Sequence, residues 1–241
     1  MKFLSLLMLV SLFCTLNLYS RENSDKYRLF VEFGMMNSTI TNRYKAISNW
    51  GNISNEEKSK SSPIAGIGAE YKLSEYLSLQ SGLNLSSLES KTTIFNSDET
   101  AVNWQEVPRR YDTETAYQMI GLPLGLKFKF VQLNRLKAFI NSGVQVNSLL
   151  DYKSTTLETY YDASTRFFDT SFEKEEFSMF NLSVFGSLGT EYDISKKMYL
   201  GISVFYDHMF DKIEGRETFL GNHYTVKIDD LGARIKLGYI L

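Results

Sequence analysis

The chain has 241 residues, with 26 Lys and Arg against 28 Asp and Glu for a formal charge of −2. That balance excludes a nucleic-acid-binding chain recruited by bulk positive charge, and 22% charged beside 43% hydrophobic residues excludes a disordered one. The length suits a single domain.

Residues 1–20, MKFLSLLMLVSLFCTLNLYS, place Lys2 ahead of an apolar run from Phe3 to Leu18 and the small Ser20 before the polar Arg21-Glu22-Asn23. This is the pattern of a secretory signal peptide, with cleavage expected after Ser20 and residues 21–241 as the exported domain. A membrane-anchoring helix is the alternative, but the run is shorter than the ~20 residues such a helix needs. The bulky Phe13 before Cys14 argues against lipoprotein processing. Cleavage after Ser20 removes Cys14, the single cysteine, so stability must come from a large sheet or core rather than a disulfide.

Past a polar strap from Arg21 to Lys26, the first expected strand covers Tyr27 to Met36, with Tyr27, Leu29, Val31, Phe33 and Met35 on one face. Asn37 to Ser61 is polar and reads as a long surface loop. After Pro63, Ala65, Ile67, Ala69 and Tyr71 alternate with Ile64, Gly66, Gly68, Glu70 and Lys72. A short turn at Leu73 to Tyr76 leads into Leu77, Leu79, Ser81, Leu83 and Leu85, set against Ser78, Gln80, Gly82, Asn84 and Ser86. Glu89 to Thr115 is again long and charged. Tyr117 to Leu150 then forms the clearest hairpin, with Ile120, Leu122, Leu124, Leu126, Phe128 and Phe130 on one face, Gln132 to Arg135 as the turn, and Ala138, Ile140, Ser142, Val144 and Val146 continuing that face. Asp151 to Glu175 is a third polar stretch. Phe180 to Tyr192 and Met198 to Asp207 alternate in the same way about a short turn at Asp193 to Lys197. A shorter loop, Asp211 to His223, precedes the final strand, in which Leu231, Ala233, Ile235, Leu237, Tyr239 and Leu241 share a face.

Strands of ten or more alternating positions exceed the usual ~5–6 residues and match the ~9–11 that cross a bilayer at a tilt. Connections alternate long and short along the chain, which in an up-and-down meander puts every short turn at one end. The hairpin also repeats: Gly68-Ala69-Glu70-Tyr71-Lys72-Leu73-Ser74 matches Gly189-Thr190-Glu191-Tyr192-Asp193-Ile194-Ser195, with Gly125 to Phe130 a looser copy. One face carries Glu32, Glu70, Lys72, Lys127, Lys129, Lys137, Glu191, Asp207, Arg234 and Lys236, and the other carries no charge. A charge-free face is either the dry core of a soluble barrel or a lipid belt. Strand length favours the belt, as does the gathering of Tyr71, Phe128, Phe130, Tyr192 and Tyr239 near the short-turn end. The expected fold is all-β, an eight-stranded antiparallel up-and-down transmembrane β-barrel with short periplasmic turns and long extracellular loops.

The strings IGLPLGLKFKF, FINSGVQVNSLL, GSLGTEYDISKKMYLGISVFYDH and LGARIKLGYIL resemble the outer-membrane β-barrel domain family of the PorT type, over about residues 27–241. Pro123 is the clearest point of likeness, since proline is disfavoured inside a central strand. The resemblance implies an integral place in the cell outer membrane, assembly by the outer-membrane machinery and an accessory role in transport or secretion. The closing residue, Leu241, departs from the aromatic usual in such barrels.

Motifs for chemistry are sparse. Asp207-His208-Met209-Phe210-Asp211, with His223, would sit at the outer rim and is the candidate for hydrolysis, against a bland reading as polar residues at a loop root. Two histidines and an aspartate lack a fixed third metal ligand. No catalytic, cofactor or metal residue is therefore assigned. Trp50, Trp104 and the tyrosines of the third loop are either a recognition surface or loop packing. The expectation is a non-enzymatic monomeric anchor in outer-membrane lipid, without cofactor or nucleic acid, whose loops meet an envelope or extracellular partner; a secretion accessory and a rim hydrolase are the alternatives.

Overall fold

The computed structural model describes residues 26–44, 53–59, 61–96, 108–170, 180–210, 213–217 and 222–241. The described elements are all strands: β1 (Tyr27–Tyr44), β2 (Ile53–Ser59), β3 (Ser61–Lys72), β4 (Leu77–Asn96), β5 (Arg110–Leu133), β6 (Leu136–Thr159), β7 (Thr165–Thr170), β8 (Asn181–Asp193), β9 (Met198–Met209), β10 (Ile213–Glu217) and β11 (Asn222–Ile240). Eight of them, β1, β3, β4, β5, β6, β8, β9 and β11, pair antiparallel in that order, and β11 pairs back onto β1 to close the ring. β2, β7 and β10 attach to β4, β6 and β11 respectively.

The pleat phases follow the sequence pattern in every spanning strand. Leu122, Leu124, Leu126, Phe128, Ile140, Val144 and Ile235 are exposed on the outer face, whereas Glu32, Glu70, Lys127, Lys129, Glu191 and Lys236 are buried inside. An outer face of leucine, isoleucine and valine without charge is stable only against lipid.

The polar stretches differ from the loops expected of them. β1 continues through Tyr44, β4 through Asn96, β5 begins at Arg110 and β6 runs to Thr159. With 24 residues, β5 extends roughly 80 Å at ~3.3 Å per residue, far more than a bilayer needs. The reason is a change of solvent along one continuous ladder. On β6, Leu150 is an extra residue, because Met119 pairs with Leu149 and Gln118 with Asp151; on β5, Phe130 is extra, because Lys129 pairs with Phe139 and Val131 with Ala138. Beyond the Leu150 bulge the polarity inverts. Gln118, Asp151 and Lys153 face out into water, while Met36, Ile64, Leu88, Tyr117, Met119, Leu149, Tyr152, Met209 and Ile228 form an apolar cluster inside. Threonine- and tyrosine-rich polar runs therefore make good strands here, since their apolar neighbours have an interior to fill.

Large rings inside the spanning barrel lie over glycines. A Cβ on Gly68 would meet the Phe30 ring at 2.2 Å and one on Gly238 the Tyr199 ring at 2.1 Å; Gly125 stands likewise under Phe185, and Gly232 under Phe205. These positions must be glycine because the ring occupies the space of any side chain.

Candidate functional site

The lumen holds the charged residues of the spanning strands, in tiers. In the lowest, Lys127 Nζ donates to Glu70 Oε2 at 2.8 Å and to Glu191 Oε1, with Lys129 Nζ 3.3 Å from Glu70 Oε1. Arg28 Nη1 stands 3.8 Å from Glu70 and 3.5 Å from Glu191. Two of these three bases also sit on aromatic faces, Lys127 4.5 Å from the Phe139 centroid and Arg28 5.4 Å from that of Tyr199. Lys137 pairs with Asp193 at the short-turn end.

In the middle tier, Arg234 Nη1 donates to Glu32 Oε1 at 2.9 Å while its guanidinium lies 3.8 Å from the Phe205 centroid, and Lys236 Nζ is 3.7 Å from Glu32. Amides complete the upper tier: Asn84 donates to Gln145 at 3.2 Å, Gln145 to Asn147 at 2.6 Å and to Asp207 at 3.3 Å, and Asn147 to Ser183 at 3.0 Å. Among the described residues, luminal cavities of about 20 Å³ lie beside Asp207 and beside Glu32, each with room for a water or two. At the level of Lys127, which is fully buried with Glu70 and Glu191, paired side chains occupy the lumen.

Nine of the ten inward charges expected from the sequence join this network; Lys72, half-buried at the short-turn end, stands outside it. The sequence count missed Arg28, Asp193 and Asp230. Arg28 and Asp230 lie on the inward phase of their strands, a signal that was available, but near strand ends where the alternation gives way to turn and loop.

The rim cluster separates. Asp207 points into the lumen and bonds Gln145, whereas His208, the next residue on β9, takes the opposite face, where its Nδ1 lies 2.6 Å from Asp229 Oδ1. Tyr206 stacks on His208 at 6.4 Å and Phe210 meets it edge-on at 5.4 Å. Asp207 and His208 thus cannot share one site. Asp211, Trp50 and Trp104 lie outside the described residues, as does the side chain of His223. Among the described residues, no three His, Cys, Asp or Glu side chains gather as metal ligands.

Above the membrane, the wall of β4, β5 and β6 is laced by polar pairs. Thr93 Oγ1 donates to Asp112 at 2.8 Å beside Arg110, Lys91 reaches Glu114 at 3.2 Å, and Thr113 and Thr156 hydroxyls meet at 3.1 Å. Burial pushes the Asp112 carboxyl up, but hydrogen bonds from Arg110 and Thr93 outweigh it and hold it below the usual carboxylate range. Burial, with the Glu158 carboxylate nearby, pushes the Tyr111 phenol up to about 12.

This geometry has known counterparts. The chain is similar in structure to the outer membrane protein OprG from Pseudomonas aeruginosa, at 13% identity and a TM-score of 0.52, covering 89% of this chain and 96% of that one. It is similar as well to the outer membrane protease OmpT from Escherichia coli, at 7% identity and a TM-score of 0.52, covering 91% and 98%. Both likenesses are of fold alone. No curated protein matches the chain in sequence. The family model of the outer membrane protein beta-barrel domain matches residues 20–210, most of the chain, so that sequence, strand ring and lipid-facing belt agree: the chain belongs to the outer membrane β-barrel domain family and is a protein of the outer membrane.

Proposed function

We propose that the protein is a sealed, non-enzymatic outer-membrane barrel that anchors an extramembrane β wall for contact with an envelope or extracellular partner. The observation that carries this reading is Lys127, with 0% of its side chain exposed at the centre of a network that spans the lumen. A lumen so filled leaves function to the wall of β4–β7 above the bilayer, whose outer face presents Glu114, Asp151 and Lys153 to water. Export through residues 1–20 with cleavage after Ser20, insertion by the outer-membrane assembly machinery and a monomeric state belong to the same proposal. Separation of Asp207 from His208 weighs against the rim-hydrolase reading.

The PorT-type resemblance supports a second reading, an accessory barrel for transport or secretion, which would also use the wall rather than the lumen. Planar-bilayer recording and surface crosslinking through Lys153, whose side chain is 75% exposed, test both. The anchor reading expects no large steady conductance and a crosslinked partner on intact cells. Steady conductance from the folded monomer would overturn the sealed lumen, and capture of export components would select the secretion reading.

A further inference from the structure

The short turns at the periplasmic end are apolar and basic together. Leu73, Leu133, Leu136 and Ile194 are exposed there, and Leu73 and Ile194 each follow an outward tyrosine, Tyr71 and Tyr192, by two residues. Apolar side chains so close to a tyrosine girdle stay at the lipid boundary, whereas long basic ones reach from it to the level of the phosphates. Lys26, Arg135, Lys196 and Lys197 are exposed beside them and Lys72 is half-buried. Glu75 is the one exposed acid of the described turns, since Asp193 is taken up by Lys137. Among the described residues, no ion pair holds Lys26, Lys72, Arg135, Lys196 or Lys197. The wall at the opposite end matches its bases instead, Lys91 with Glu114, Arg110 with Asp112 and Lys153 with Asp151.

Backbone hydrogen bonds gather these bases on one rim. Asp193 N donates to Arg135 O at 2.8 Å, Ile240 N to Lys197 O at 2.8 Å, Leu241 N to Tyr27 O at 3.0 Å and Lys72 N to Lys26 O at 2.8 Å. The bases therefore follow a continuous arc, from the turn after β5 across the seam of β11 and β1 to the turn after β3. On that arc Lys197 Nζ lies 5.8 Å from the ring centroid of Tyr239, a residue of the lipid-facing side. The contact keeps the ammonium at the outer surface of the barrel rather than over the mouth of the lumen.

We propose that this rim is a binding surface for anionic phospholipid of the periplasmic leaflet, with Arg135 and Lys197 holding the headgroup phosphate and Leu136, Ile194 and Tyr239 lying against the acyl chains. Unmatched bases beside a lipid belt fit a headgroup of net negative charge, such as that of phosphatidylglycerol. The zwitterionic headgroup of phosphatidylcholine carries its own cation and gains little from them. Each Lys or Arg near an anionic membrane surface strengthens association about fivefold, and the attraction is screened as salt rises.

The test is native mass spectrometry of the folded protein in a neutral detergent, titrated in parallel with phosphatidylglycerol and with phosphatidylcholine. The wild type should retain phosphatidylglycerol at severalfold lower concentration than phosphatidylcholine. Arg135→Gln with Lys197→Gln should weaken phosphatidylglycerol by about fivefold for each charge removed and leave phosphatidylcholine unchanged, which also shows that the variant is folded. Lys197→Arg should keep the preference, as should Lys91→Gln at the opposite end. Equal retention of the two lipids by the wild type would overturn the proposal, and so would a preference that survives in the double variant. Loss of the preference in Lys91→Gln alone would overturn it too, moving the anionic lipid to the other end of the barrel.

Discussion

Lys127 Nζ on β5 donates to Glu70 Oε2 on β3 across 2.8 Å of lumen, with neither side chain exposed. The same ammonium also bonds Glu191 on β8, so one lysine joins three strands around the ring. Removing one partner of a buried ion pair costs about 3–5 kcal/mol, because the charge left behind has lost its solvent and its counter-ion. Lys127→Met should therefore lower the urea midpoint of the folded barrel severely, and adding Glu191→Gln should recover part of the loss. A single Lys127→Met barrel as stable as wild type would show that Arg28 and Lys129 suffice.

Glycine positions divide sharply by what lies above them. Gly238→Ala drives a methyl into the Tyr199 ring, which cannot retreat because it is fully buried beside Arg28, and overpacking of this kind costs about 1–3 kcal/mol. Gly186 has nothing within 4 Å of its Cβ position, so Gly186→Ala should leave stability unchanged. Equal midpoints for the two variants would contradict the ring-over-glycine packing.

Face assignment is tested by one residue on each side of the wall. Leu124 is 51% exposed on the outer face, and an arginine there meets hydrocarbon at a cost of ~2–4 kcal/mol. Gln145 lies inside, 3.3 Å from Asp207, where a guanidinium finds a carboxylate. Leu124→Arg should fail to assemble, while Gln145→Arg yields a heat-modifiable folded band on electrophoresis. The reverse order would require the opposite pleat phase.

The extramembrane wall should unfold separately from the belt. Tyr152 and Tyr117 pack at 5.0 Å in the apolar cluster above the Leu150 bulge, and truncating a large buried aromatic costs about 3–5 kcal/mol. Tyr152→Ala should let protease cut the wall on intact cells while the membrane-embedded half stays folded. Loss of outer-membrane insertion in this variant would mean that wall and belt fold as one unit.

Much of this architecture is written locally. Leu122, Leu124 and Leu126 against Lys127 and Lys129 declare two faces of one strand through the two-residue pleat alone, and the same arithmetic on the other spanning strands yields the ring, the lipid belt and the inward charges. The rim residues show the same rule: Asp207 and His208 are neighbours in sequence and, by the same pleat, point apart.

The contacts that depend on the closed ring are non-local. Lys127 meets acids 57 and 64 residues away, and no periodicity says which acid faces which base once the sheet closes with its stagger. The extra residues Leu150 and Phe130 are single insertions in otherwise regular runs, visible only when a partner strand supplies the count. The polar stretches became strands for a related reason: their inward residues, such as Tyr117 and Tyr152, look scattered in sequence and become a core only when eight strands bring them to one axis. Alternation is a property of each strand by itself, whereas pairing, stagger and the filling of the lumen belong to the closed ring.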